Sequence, residues 1–162
     1  MISLKEITWD NFWTLINLTV SDEQKPYIVN NATFIAQAYV NLKSNFPDMV
    51  LGIYKDTTPI GFTKIVYVPE NTPPYNLEKD VYMIDGFMID KAHQQKGYGQ
   101  KAFDHVLNYI KTRPLLDANT IVLLCHEHNL KSQTFFTRFG FKPNGIHKRN
   151  DETYTILFRS MD

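Results

Sequence analysis

The run Asp85-Gly-Phe-Met-Ile-Asp90, continued by Lys91-Ala-His-Gln-Gln-Lys-Gly-Tyr-Gly-Gln100, constrains this chain most. An extended apolar segment ends, a turn with two glycines follows, and a long amphipathic stretch begins. In that stretch Ala102, Phe103, Val106, Leu107 and Ile110 recur at helical spacing and predict a helix over 97–112 with one core face. A strand that enters a helix through such a turn leaves backbone N–H groups free at Gln95, Lys96, Gly97, Tyr98 and Gly99. Glycine has no Cβ, so a ligand can approach its backbone closely. The helix N-terminus adds unpaired donors and a partial positive charge, and Lys96 and Lys101 add formal charge. The pattern implies a site for a pyrophosphate-bearing molecule.

The rest of the chain supplies the sheet around that unit. Residues 2–8 alternate as a first strand, and 10–16 open a helix for which Asp10 is the expected N-cap, with Phe12, Leu15 and Ile16 on its inner side. A second helix after Pro26 is expected to turn Ile28, Ile35, Ala38, Tyr39 and Leu42 inward and to stop at Pro47. Residues 49–54 and 60–68 predict a hairpin joined at 55–59. The proline-rich stretch 69–79 reads as a functional loop. Residues 81–89 read as a strand, and the continuous apolar run 120–125 reads as a strand buried on both faces. A helix over 129–139 capped by Gly140 and a closing hairpin at 141–159 complete the order β, α, α, β, β, β, α, β, α, β, β. The unit at 81–125 requires a parallel pair with a right-handed crossover. The expected architecture is α/β: a mixed, mostly antiparallel twisted sheet with one central parallel pair and helices on both faces. With 162 residues and no linker, repeat or low-complexity tract, 1–162 reads as a single domain.

Charge narrows the partners. There are 17 basic and 17 acidic residues, so no basic excess points to nucleic acid. No run reaches the roughly 18–20 apolar residues of a membrane helix, and the first residues are too charged for a signal peptide. Cys125 is the only cysteine, so no internal disulfide forms. The expected location is the cytoplasm.

Two signatures then coincide. Gln94-x-x-Gly97-x-Gly99, directly after a strand ending in Met88-Ile89-Asp90, resembles motif A of the GNAT N-acetyltransferase superfamily. Asn129-x-x-Ser132-x-x-Phe135-Phe136-x-x-Phe139-Gly140-Phe141 resembles that family's second signature. The strand order matches the GNAT fold, so the parallel pair is expected to splay. The resemblance implies acetyl-CoA as co-substrate. Its pyrophosphate would lie against Gln95, Lys96, Gly97, Tyr98 and Gly99, with Gln94, Gln100 and Lys101 nearby. Its pantetheine arm would pair with Phe87, Met88 and Ile89, with Asn129 near its end. Within the family, Leu18-x-Val20-x-x-x-Gln24-x-x-Tyr27-Ile28, Phe46-Pro47 and Asp85-x-Phe87-x-Ile89-Asp90 resemble bacterial spermine/spermidine acetyltransferases. A polyamine or other small cationic amine is therefore the expected acceptor, with Asp22, Glu23, Asp85 and Glu127 as candidate contacts. Many relatives also dimerise, which makes the hairpin at 141–159 a candidate homodimer surface.

An amine must be neutral to attack a thioester, so a base or a water relay is needed. Asp85 is the first choice for the base and Glu127 the second. The backbone N–H of Phe87 or Met88 is the candidate oxyanion donor. Where many relatives place a Tyr as general acid, this chain has Phe136, which has no proton to give. Tyr98, Tyr82, Cys125 and His126 remain as substitutes, and a CoA thiol can also leave as thiolate. No metal site is expected, because His126 and His128 lack further ligands at compatible spacing. Three rivals stay open: acetylation of a peptide or protein N-terminus, acetylation of an antibiotic amine, and a catalytically weak acyl-CoA-binding sensor.

Overall fold

Seven strands of the computed structural model, which describes residues 1–162, form one sheet. They are β1 (Ile2–Glu6), β2 (Asp48–Lys55), β3 (Thr58–Val68), β4 (Val81–Ile89), β5 (Thr120–His126), β6 (Lys142–Arg149) and β7 (Glu152–Ser160). Their spatial order is β1-β2-β3-β4-β5-β7-β6, antiparallel throughout except for the parallel pair β4–β5. The connection between that pair is α3 (Tyr98–Lys111), and α1 (Phe12–Asn17), α2 (Asn31–Lys43) and α4 (Leu130–Arg138) complete the helices. The expected mixed sheet with one parallel pair and helices on both faces is what the chain builds. The closing hairpin turns on two residues, 150 and 151. Asn150 (φ 50°) and Asp151 (φ 63°) are both left-handed, as a two-residue turn between twisted strands requires.

Two local expectations shift. Asn11 rather than Asp10 caps α1, and its side chain accepts from Thr8 N (2.8 Å) and donates to Glu6 O (2.9 Å). These bonds brace the turn that enters the helix, and the side chain bonds none of the first-turn N–H groups. Leu15, fully buried, is the anchor of this short helix. The inner face of α2 is Asn31, Phe34 and Ala38, while Tyr39 and Leu42 face solvent. The helix starts five residues after Pro26, with Asn30 accepting from Thr33 N, so its phase is set later than proline punctuation suggested. Buried Asn31 is satisfied by donating to Leu15 O at 2.8 Å, which ties α2 to α1.

The core on the α3 side centres on Phe103, which is fully buried. Its ring centroid lies 4.9 Å from Phe87, 5.5 Å from Phe135, 5.1 Å from Phe136 and 4.9 Å from Phe139. On the other face, Phe34 stacks on Phe62 and packs with Val20 and Met88. Phe34 also occupies the space over Gly86: a Cβ there would lie 2.5 Å from the Phe34 ring. Gly86→Ala should therefore destabilise the protein by about 1–3 kcal/mol through overpacking. The cost should largely vanish in a Phe34→Ala background, since the two residues share one space. Urea unfolding of the four proteins of this cycle checks it, and equal costs in both backgrounds would contradict it.

Candidate active site

A bulge in β4 creates the cleft. Lys64 pairs with Gly86 and Ile65 with Ile84, so Asp85 is an extra residue with no partner on β3. Such an insertion bends its strand and re-aims the inserted side chain. β4 and β5 are paired only at Tyr82–Ile121 and Met83–Val122, just before the bulge. Beyond it the strands separate around a cleft of roughly 800 Å³, lined by both strands and by the start of α4.

The edge that β4 presents there can be read from its bonds to β3. Thr63 Oγ1 donates to Gly86 O at 2.9 Å, and Asp90 N donates to Ile60 O at 2.8 Å. Main-chain groups alternate along a strand, so Gly86, Met88 and Asp90 bond toward β3. Phe87 and Ile89 then turn their N–H and C=O groups toward the cleft. Of the two oxyanion candidates, the geometry thus leaves Phe87 N–H facing the cleft, while Met88 N–H is directed into the sheet.

At one end of the cleft lies the glycine turn. Gln95 (φ 61°) and Gly97 (φ 74°) are both left-handed, and Gly97 is the N-cap of α3. Consecutive amides in such a turn form an anion-binding concavity, which the helix terminus strengthens. A Cβ at Gly97 would meet nothing within 4 Å, so the glycine serves backbone conformation and ligand approach rather than packing. Gln94 has a structural job: its Nε2 donates to Ile89 O and to Gln24 Oε1, both at 2.8 Å. Asp90 accepts from Thr19 N at 2.9 Å. Together these bonds fasten the 19–24 segment to the turn.

At the other end, a second cavity of roughly 620 Å³ opens on the α2 side. Asp85 is the only charged residue that lines both cavities. Its Oδ2 accepts from Lys64 Nζ at 2.5 Å, while its Oδ1 makes no hydrogen bond to the protein. Lys64 is buried, and its ammonium also lies 3.2 Å from the buried carboxylate of Asp48. Asn41 of α2 donates to Asp48 Oδ2 at 2.6 Å, and Asp48 Oδ1 has no partner. Burial holds the Asp48 carboxyl above its usual range, opposed by the Asn41 hydrogen bond and the Lys64 charge.

Of the residues expected from sequence, Phe87, Met88, Ile89, Gln94, Gln95, Gly99 and Asn129 line the first cleft with Asp85, Asp22 and Glu23. Lys96, Gly97, Tyr98, Gln100 and Lys101 do not line it, and Lys96 Nζ instead donates to Ala92 O at 2.8 Å. Glu127 lines neither cavity: its carboxylate lies 3.7 Å from His128, on the outer side of the strand end. Asn129 caps α4 by accepting from Ser132 N at 3.2 Å. Lys131 at the cleft, and Arg149, Glu152 and Tyr154 at the second cavity, were not anticipated. They come from distant segments that only the fold brings together. Lys64 carried a readable signal, being the one charge inside the apolar run 60–68.

With this geometry in hand, the sequence model of the Acetyltransferase (GNAT) family matches residues 9–141. Over 155 residues the chain is 28% identical to the spermine/spermidine N(1)-acetyltransferase of Bacillus subtilis (strain 168), covering 96% of this chain and 97% of that protein. An aminoglycoside acetyltransferase crystallised with coenzyme A has a similar fold, with a TM-score of 0.76 at 13% identity over 99% of this chain and 95% of the other. Arabidopsis thaliana NAA60 with a bisubstrate analogue gives 0.66 at 12% identity, covering 99% of this chain and 98% of the other.

The substitute proton donors also separate. Tyr82 is committed elsewhere, since its hydroxyl donates to Leu116 O at 2.7 Å and accepts from Leu115 N. Tyr98 does not line the cleft, whereas Cys125, His126 and Phe136 do. Burial pushes the Cys125 thiol up to about 11. An unfolded thiol ionises near about 8.5. Between those values the folded state keeps a proton that the unfolded state releases, so stability from this group falls as pH rises through that window. At pH 8 the native protein should accordingly resist iodoacetamide and label only on unfolding. Rapid labelling of folded protein, followed by mass spectrometry, would contradict a buried, protonated Cys125.

Proposed function

The chain belongs to the GNAT acetyltransferase family, and from that premise we propose that it transfers the acetyl group of acetyl-CoA to the primary amine of a small cationic acceptor, with a polyamine as the leading class. The observation that carries this reading is Asp85, the single charge shared by the cleft and the second cavity. In this reading the left-handed turn at Gln95 and Gly97 receives the pyrophosphate. The cleft-facing edge at Phe87 and Ile89 pairs with the pantetheine arm, and the acceptor enters from the second cavity.

The chemistry follows in a ternary complex. Asp85 Oδ1 takes a proton from the acceptor ammonium, directly or through a water, and the freed nitrogen lone pair attacks the thioester carbonyl. Phe87 N–H donates to the developing oxyanion, a role that low-dielectric surroundings strengthen. The attacking nitrogen then carries one proton too many for an amide; as the C–S bond breaks, that proton passes to the departing thiolate, directly or through a water, and leaves the neutral amide and the free CoA thiol. Phe136 has no proton to give, and the buried Cys125 thiol, directed at Asn129 O, holds its own proton too tightly to supply one.

Asp85 and Glu152 in the second cavity, together with the name of the Bacillus relative, support a cationic acceptor. A second reading draws on the other cavity, where Lys25, His147 and Arg149 stand with Glu152. That mixed lining suits an amine whose remainder carries carbonyl or anionic groups, such as a peptide N-terminus. The lone cysteine accords with a reducing compartment such as the cytoplasm. No helix is long and apolar enough to cross a membrane. β6 is an open sheet edge along which two copies could pair as a homodimer.

Free-thiol release from acetyl-CoA, measured with spermidine, an aminoglycoside and a short peptide, tests the reading. Spermidine should give the highest kcat/KM, and Asp85→Asn should lower it by about 10²–10⁴-fold, the usual range for losing a general base. Tight acetyl-CoA binding with no thiol release from any amine would establish the sensor alternative instead.

A further inference from the structure

Asp48 and Lys64 line neither cavity, yet both are buried against the one carboxylate that lines both. We propose that this pair makes Asp85 a one-proton acceptor, with Asp48 and Lys64 acting as positioning residues for the proton-transfer step. The proposal rests on the reading above, in which Asp85 faces the acceptor amine.

The argument is a charge count. With every group ionised, two carboxylates share one ammonium, and the cluster carries one net negative charge at the base of the acceptor cavity. That charge attracts a cationic amine. When the acceptor N–H bond breaks and an O–H bond forms on Asp85 Oδ1, the electron pair stays on nitrogen. Asp48 and Lys64 are then left as a neutral buried pair. Were Asp48 absent, the same step would strand a buried ammonium without a counter-ion, which is strongly unfavourable. Asp48 is thus what allows Asp85 to give up its ion pair.

The distances fit a shared ammonium. Lys64 Nζ is 2.5 Å from Asp85 and 3.2 Å from Asp48, and both contacts use one oxygen of each carboxylate. The other oxygen of Asp85 is free toward the cavities, and that of Asp48 is buried without a partner. An unpartnered buried oxygen makes Asp48 a poorly stabilised anion, consistent with the direction in which burial moves it. Other charged or titratable groups face Asp85 across the cavities. Lys25, Tyr75, His147, Arg149, Glu152 and Tyr154 line the acceptor side. Asp22, Glu23, Cys125, His126 and Lys131 line the cofactor side, and Tyr27 lines both. None of these is hydrogen-bonded or ion-paired to Lys64, so the variants below isolate the cluster.

Carboxyl-carbon NMR titration of the full chain, without substrates, reads the effect directly. In Asp48→Asn the Asp85 titration midpoint should fall by about one unit or more, because Lys64 acts on it alone. In Lys64→Met it should rise by a similar amount, and in the double variant it should return toward the wild-type position. The acid limb of kcat against pH should move in the same directions. A merely structural role would lower the melting temperature in both single variants without opposite shifts, and that outcome would overturn the proposal. So would an unmoved Asp85. If Asp48→Asn does not fold, Lys64→Met and the double variant carry the same sign test. In the wild-type protein the Asp48 and Asp85 resonances should each register the other's titration, and independent curves would also overturn it. Opposite shifts in a protein that acetylates no amine would uphold the proton acceptor and sink the acetyltransferase reading of the cavity.

Discussion

Everything at this site depends on a strand that cannot stay paired. The extra residue at Asp85 breaks the register between β3 and β4, and the β4–β5 ladder ends after Met83. A sheet interior normally offers no free main-chain groups, because each buried N–H or C=O left unpaired is costly. Here the two strands part, and the groups of Phe87 and Ile89 turn toward a cleft instead of toward β5. The same bulge swings one carboxylate into the passage between the two cavities. The opening is therefore part of the fold and does not wait for a ligand to pry it apart.

The surroundings keep that opening from collapsing. On one side Phe87 is wedged among Phe103 and Phe135, so the α3 and α4 face is solid aromatic packing. On the other side Phe34 fills the space that a side chain at Gly86 would take. Between them runs the buried Asp48–Lys64–Asp85 cluster. A hydrophobic trio of equal volume would generally be no less stable than such a cluster. Its retention beside the bulge makes most sense as electrostatics for the site. The turn at Gln95 to Gly99 is fastened in its own way, through Gln94 and Asp90, to the segment that walls the acceptor side.

Much of this was legible in the sequence, for identifiable reasons. The β4–turn–α3 unit announced itself because glycine spacing and helical periodicity are local signals, and the parallel pairing followed from handedness alone. The position of Asp85 at the mouth of the cleft was legible from its place in that unit. Its ion pair was not, because Lys64 and Asp48 reach it from other strands, and cross-strand neighbours are set by register. Glu127 misled for a related reason: a residue just past a strand end can face either way. On α2 the expected Ala38 and Ile35 do pack inward, but Tyr39 and Leu42 do not, because the sheet takes Asn31, Phe34 and Ala38 as the inner stripe. Of the acceptor cavity, only the 69–79 loop and the segment before α2 carried a signal in the sequence; the contributions of β6 and β7 had none, because they reach it through sheet order.

The most direct measurement is an amide correlation NMR titration of the uniformly labelled protein with coenzyme A. If the splayed strands and the glycine turn form the co-substrate site, the amides from Gln95 to Gly99 and those of Phe87 and Ile89 should shift together and saturate at one dissociation constant. Met88, bonded into the sheet, should move less than its two neighbours. Saturable shifts confined to another part of the surface, with Phe87, Ile89 and the turn unmoved, would contradict the account.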